Sequence, residues 1–338
     1  MNLLSVVVPA YNTERYLENC VRTLLESGDG IEILIVNDGS KDGTASLAES
    51  LRAERPEVIR VFHQENAGHG GAVNTGIQNA NGAFIKVVDS DDWVNPQALR
   101  QVVDQLRAFE NEGTKVDMVL ANFMYDKVGE THKKIMHYRG VIPQDRIITW
   151  EEMKRFSAGK YILMHSVIYS RDVLKRCRLE LPKHTFYVDN LFVYLPIPYV
   201  GSLYYMDLCV YHYFIGREDQ SVNEKNMMRR IDQQLRVNHL MLSHTKLKAI
   251  DGKKRKQYML HYLTIITTVS SILLLKIGTE DALHDKQLLW KAIKAYDYRV
   301  YLRMRLSLMG TLINLPGVIG RKIALSIYEI ARRRVGFN

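Results

Sequence analysis

Short, largely aliphatic runs recur along the first part of the chain, at Leu3–Val8, Ile31–Val36, Val58–Phe62 and Phe84–Val88, and each stops at turn-forming residues. Apolar runs of this length, bounded by turn signals, predict strands covered on both faces. Between them the apolar period changes. Tyr16, Leu17, Cys20, Val21, Leu24 and Leu25 recur at helical spacing, and Leu47, Leu51 and the neighbouring alanines repeat the pattern. Asp117–Phe123 reads as a further strand. Strand–helix–strand alternation of this kind predicts an α/β fold, a doubly wound and mostly parallel sheet with helices on both faces. The 46% hydrophobic and 25% charged content is that of an ordinary globular chain.

The pattern does not last. Tyr204–Met206 and Leu208–Phe214 read as short strands, but after Asn226 strand signals vanish and helical periodicity takes over. Two domains are expected, 1–225 and 226–338, with the boundary near Ser221–Met228. Charge divides the same way. Residues 226–338 carry 21 Lys/Arg against 7 Asp/Glu, whereas residues 1–225 carry 25 against 30. A basic helical region beside a mildly acidic domain points to an anionic surface as partner. No nucleic-acid recognition motif accompanies it, so nucleic acid is not the expected partner. Gln257–Leu275 is uncharged over a length that could cross a bilayer. Its polar residues Gln257, His261, Thr264, Thr267, Thr268 and Ser271 share one side, which predicts an amphipathic helix packed on a core or a partner chain. Leu306–Arg334 sets apolar residues beside Arg321, Lys322 and Arg332–Arg334, as in a helix lying in a membrane interface. Cys20, Cys177 and Cys209 are odd in number and widely spaced, which argues against a disulfide framework or a zinc site. The start of the chain lacks a basic segment before its apolar run, and Pro9 cuts that run short, so no signal peptide is read there.

The strand ends carry the chemistry. Phe84–Val88 is followed by Asp89-Ser90-Asp91-Asp92, three carboxylates in four positions. Such acids repel one another unless a cation sits among them, and oxygen ligands suit a hard divalent ion. A solvated acidic turn capping the helix that starts near Pro96 is the alternative. Val8-Pro9-Ala10-Tyr11 places a proline where it is expected to end the strand and leaves Tyr11 at the edge, able to stack on a base. Val36-Asn37-Asp38-Gly39-Ser40 is a turn before a helix. Glu65-Asn66-Ala67-Gly68-His69-Gly70-Gly71 lets backbone approach a ligand closely. It matches neither GxGxxG nor a Walker loop.

Taken in order, VVVPAYN, VNDGSKDGT, ENAGHGGAVNTGI and VDSDDW resemble the family 2 glycosyltransferases of the GT-A fold, over Leu3 to Ser221. The resemblance implies an inverting transfer of a sugar from a nucleotide diphosphate, usually UDP, to an acceptor hydroxyl. It implies that Pro9 and Tyr11 contact the uracil, that Asp38 hydrogen-bonds the base, and that Asn66 and Gly68 lie near the nucleoside. Asp89 and Asp91 match the DxD motif that holds Mn²⁺ or Mg²⁺ against the diphosphate, with Asp92 near the sugar. Phe186-Tyr187-Val188-Asp189-Asn190 matches the family's acidic pair, which makes Asp189 the implied base. A helix N-cap is its alternative role. Tyr211–Ser221 resembles the family's YxYR…S ending, so Arg217 and Ser221 are expected on the diphosphate, and an ion pair of Arg217 with Glu218 or Asp219 is the alternative. His212, between two tyrosines, reads as a packed residue. Asn37 and Val73 depart from the family's usual acid and arginine.

The expected protein is therefore a cytoplasmic, UDP-sugar-dependent glycosyltransferase, peripheral at the inner face of the membrane. Its expected acceptor is a lipid-linked or growing cell-surface polysaccharide, and the basic helices serve membrane contact or homo-oligomerisation. Two other classes share parts of this pattern. Sugar nucleotidyltransferases share the sheet and the metal, but their Gly-rich Arg/Lys opening is missing. A catalytically silent assembly partner would not need Asp89, Asp91 and Asp189.

Overall fold

A computed structural model of the chain describes residues 3–127, 129, 133–217, 220–221 and 223–335, with side chains to Ile330 in the last helix. The chain forms two compact units, Met1–Phe156 with Ile162–Ile215, and Ser157–Tyr161 with Gly216–Asn338.

The first unit begins β1 (Leu4–Ala10), α1 (Glu14–Leu25), β2 (Ile31–Asn37), α2 (Thr44–Glu54), β3 (Ile59–His63), α3 (Gly68–Asn79) and β4 (Phe84–Val87). It continues through β5 (Trp93–Val94), α4 (Pro96–Asn111), β6 (Met118–Lys127), β7 (Lys134–Met136) and β8 (Ile147–Ile148). It ends with β9 (Val167–Ser170), α5 (Arg171–Cys177), α6 (Asp189–Tyr194) and β10 (Leu203–Ile215). Every residue of β1, β2 and β4 is buried. This is why their sequences are nearly continuous apolar runs and do not alternate. Helix α3 packs on β1 and β2, and α1 buries Leu17, Cys20, Val21 and Leu24.

The strand order is β3-β2-β1-β4-β9-β6-β10-β5, with β7 on β6 and β8 on β10. Strands β3, β2, β1 and β4 run parallel, and β9 is antiparallel between β4 and β6. The doubly wound, mostly parallel sheet is thus present. The chain steps from β1 through β2 to β3, then returns on the other side of β1 as β4. Strand order reverses between β1 and β4, and in an open α/β sheet a ligand crevice forms outside the carboxyl ends at such a point.

Pro9 opens that crevice in an unexpected way. It does not end the strand: β1 stays in register with β2 through Ala10, while its ladder with β4 stops at Val7. The Val7 carbonyl accepts the Val88 N–H at 2.9 Å. Alternate residues of β1 therefore face β4, and the Pro9 nitrogen on that side has no hydrogen to give. One ladder is released and the other kept. The two strands predicted at 204–206 and 208–214 are one, β10. Register shifts between Met206 and Tyr211 break its alternation, as a bulge does.

The second unit comprises α7 (Glu224–Arg229), α8 (Ile231–His244), α9 (Lys253–Ile277), α10 (Glu280–Tyr296), α11 (Tyr298–Arg305), α12 (Leu308–Ile313) and α13 (Gly317–Val335). Among the described residues α9 alone is long and apolar enough to cross a membrane, and 72% of its most apolar window is buried within the structure. Its polar residues do not all face solvent. Thr267, Ser270 and Ser271 are buried. They pair with Asn238 and Gln234 of α8 and with Trp290 of α10. Lys276 of α9 bridges Glu224 of α7 and Glu329 of α13.

Candidate active site

The acids after β4 form a tight turn, closed by the Asp92 N–H on the Asp89 carbonyl at 2.9 Å. They do not cap the following helix. Asn95 does that, its Oδ1 accepting from the Ala98 N–H at 2.9 Å. The three acids are instead engaged differently from one another. Asp92 is buried, and its oxygens accept from the Tyr211 hydroxyl at 2.5 Å and the Phe214 N–H at 2.8 Å. Burial first, then the charges of Asp91 and Asp89, push its carboxyl well above the usual range. Asp91 sits half-buried at the turn's tip.

Asp89 lies between positive partners. Its Oδ1 is 2.8 Å from His69 Nε2, and its N–H donates to the Tyr211 hydroxyl at 3.2 Å. Burial would raise its pKa, but His69 overrides this and holds it below the usual range. Beneath it, Lys86 is fully buried and donates to the His165 carbonyl at 2.7 Å. Burial brings this lysine down to about 7. Asp89, Asp92 and His165 each offer a ligand atom, and these atoms lie within 4.8 Å of one another. Burial lowers the His165 ring to about 4, which leaves a neutral imidazole. A cluster of carboxylates and neutral imidazole suits a divalent cation.

The other strand-end loops are laced together beside this turn. Tyr11 is 49% exposed, which leaves its ring open to a ligand, and Pro9 is buried. Asn12 joins the first loop to the second by accepting from the Lys41 N–H at 2.7 Å. Asp38 is buried. Its Oδ1 accepts from the Ala67 N–H at 2.8 Å and Gln64 Nε2 at 2.6 Å, and its carbonyl accepts from Asn66 Nδ2 at 2.9 Å. One carboxylate oxygen thus fixes the glycine loop. Asn37 accepts from the Ser40 N–H and pairs with His63, so it serves the turn.

Glycine is required where these loops touch. Gly68 has φ +76°, and a Cβ there would meet the His184 backbone at 3.0 Å. The same contact carries a hydrogen bond from the His184 N–H to the Ala67 carbonyl, 2.8 Å. Six residues on, the Asn74 amide donates to the Leu181 carbonyl and accepts from its N–H, 2.8 and 2.9 Å. Helix α3 thereby holds the segment that leads into α6. Asp189 opens α6 but does not cap it: the cap position is Val188, without a side-chain bond. Burial lifts the Asp189 carboxyl to about 6, with His69 pulling it down and Asp89 pushing it up. His69 in turn feels Asp89, Asp189 and Asp91.

His212 stacks on Trp93 and lies 3.2 Å from Asp126, in keeping with a packed role. Arg217 and Ser221 belong to the second unit, where the Gly216 and Arg217 N–H groups donate to Gln220 Oε1. Glu218 and Asp219 lie outside the described residues. Sequence reasoning missed His69, Lys86 and His165. His69 stood inside a motif whose glycines drew the attention. His165 belongs to no motif, and only its burial next to the acids reveals it.

Comparison with known proteins identifies the family and the fold. The model of glycosyl transferase family 2 matches residues 5–174. EpsH of Bacillus subtilis (strain 168) is 28% identical over 288 residues, covering 80% of this chain and 76% of EpsH. The glycosyltransferase EpsJ of the same bacterium is 32% identical over 187 residues, and that alignment spans half of EpsJ. The crystal structure of S. aureus TarS in complex with UDP-GlcNAc aligns with a TM-score of 0.68 at 20% identity, over 99% of this chain and 92% of that one. The shared fold is GT-A, with the helical region following the sheet.

Proposed function

The chain belongs to glycosyl transferase family 2, and from that premise we propose that it moves a sugar from a UDP-linked donor to a saccharide hydroxyl with inversion. Glycosyl transfer itself comes with the family. The observation that carries the mechanism is the position of His69, which bonds Asp89 at 2.8 Å and feels the charge of Asp189. Through His69, the acidic turn and the proposed base are electrostatically linked.

In this reading Tyr11 and Pro9 contact the uracil, and Asp38 hydrogen-bonds the base. Asn66 and Gly68 bound the nucleoside, and Arg217 and Ser221 serve the diphosphate. Asp89 and Asp91 hold Mn²⁺ or Mg²⁺. A cation bound there stabilises the charge that develops on the departing UDP. Asp92, already hydrogen-bonded on both oxygens, keeps the turn in shape beside the sugar. Asp189 accepts the acceptor's proton, and burial has raised it toward the pKa that base catalysis near neutrality needs. TarS, crystallised in complex with UDP-GlcNAc on the same fold, supports a UDP donor.

The acceptor we propose is lipid-linked or growing polysaccharide at the inner membrane face. Support comes from the basic second unit and from α13, whose Ile319, Ile323, Ile327 and Ile330 are 39–76% exposed with Lys322 exposed among them. Aliphatic exposure flanked by basic residues suits an anionic lipid interface.

Calorimetry of UDP and GDP binding with and without Mn²⁺ tests the donor and the cation together. UDP should bind tightly only with the metal, and Asp91→Ala should abolish both that dependence and sugar transfer. Full transfer by Asp91→Ala in EDTA would overturn the cation assignment.

A further inference from the structure

His165 is the residue beside the acidic turn that no motif accounts for. It is 7% exposed, and its Nδ1 has no hydrogen-bond partner. Burying a polar atom without a partner costs about 1–3 kcal/mol, so such atoms call for an explanation. The ring is also held in place. It stacks on Tyr211 at 4.8 Å and meets Tyr213 at 4.2 Å and Phe123 at 5.3 Å. Its carbonyl is fixed by Lys86. A histidine kept only for packing needs no polar neighbours, yet a ring nitrogen here lies within 4.8 Å of carboxylate oxygens of both Asp89 and Asp92. No hydrogen bond joins it to either acid among the described contacts. Ligands about 2.1 Å from a common cation stand roughly 3–4.2 Å apart, so a small inward movement would bring His165 and Asp89 onto one ion.

We propose that His165 is a direct ligand of the donor-site cation, joining Asp89, and that its nitrogen makes the site select Mn²⁺ over Mg²⁺. The proposal rests on the cation reading above. Mg²⁺ is hard and keeps oxygen ligands, whereas imidazole suits transition metals. His69 occupies Asp89 Oδ1 and so leaves Oδ2 for the ion. Both Asp92 oxygens already accept a hydrogen bond, and each retains a lone pair.

Pulsed EPR of the full chain loaded with Mn²⁺ and UDP reads the nitrogen directly. A ¹⁴N modulation from a bound imidazole is expected, and ¹⁵N-histidine labelling should shift its frequency without any substitution. His165→Phe keeps the ring stack and should remove the modulation, and Mn²⁺ affinity should fall at least about tenfold. UDP affinity in saturating Mg²⁺ should change far less. His212→Phe should retain the signal. Metal-dependent UDP binding with no nitrogen modulation, or a signal that survives His165→Phe, overturns the inference and leaves the cation reading standing. UDP binding that needs no metal overturns both.

Discussion

At Asp189, burial raises the carboxyl to about 6, with Asp89 adding to the shift and His69 opposing it. A base must be unprotonated to work, so turnover should climb as pH rises through about 6 and level off above it. Below that value the rate should fall about tenfold per unit. Asp189→Asn should cost about 10²–10⁴-fold in kcat while UDP affinity stays near that of the parent. An unchanged rate, or a profile flat between pH 5 and 7, would remove Asp189 from the role. Whether Asp189 was a base or a helix cap could not be decided from residues alone, because the same residue in the same position serves either. The cap geometry removes the cap role, since Val188 and not Asp189 occupies the cap position, and the base remains the proposed role. The acids after β4 posed the same ambiguity, and Asn95 removes the cap role there by capping α4 itself.

Among the elements, the parallel half of the sheet was legible because its strands are apolar along their whole length and its helices are periodic. Strand β10 was not, because its irregular register interrupts the period of two. Pro9 was misjudged for a different reason. A proline's missing donor matters only on the side it faces, and a sequence does not show which side that is. The tie between α3 and the 181–185 segment was likewise invisible, since its partners are 107 residues apart. Asn74→Ala would leave the Leu181 N–H and carbonyl unpartnered in a buried place. Stability should drop by about 1–3 kcal/mol in urea melts. The catalytic consequence should fall on kcat, through a loosened α6, with donor affinity altered less than about threefold. A loss confined to donor binding would show that the tie does not position Asp189.

At the scale of the whole molecule, the helical character and basic charge of the second unit could be read from composition, whereas the burial of α9's polar residues could not. Periodicity assigns polar residues to a solvent face unless partners are known, and Gln234, Asn238 and Trp290 are those partners. If α13 meets lipid, Ile319→Asp with Ile323→Asp should abolish sedimentation with phosphatidylserine vesicles and leave the thermal melting point within about 2 °C, because both side chains are already exposed. Raising salt should weaken binding of the parent chain. Vesicle binding that survives the double substitution would exclude this face. The amide clamp between Asn74 and Leu181 also bears on how such enzymes can be recombined. A chimera that borrows residues 181–194 from a relative would keep the seating of its Asp189 counterpart only where the borrowed backbone still meets the resident Asn74. Residues 68–79 and 181–194 form one cassette, and acceptor preference should be portable only when both parts of it travel together.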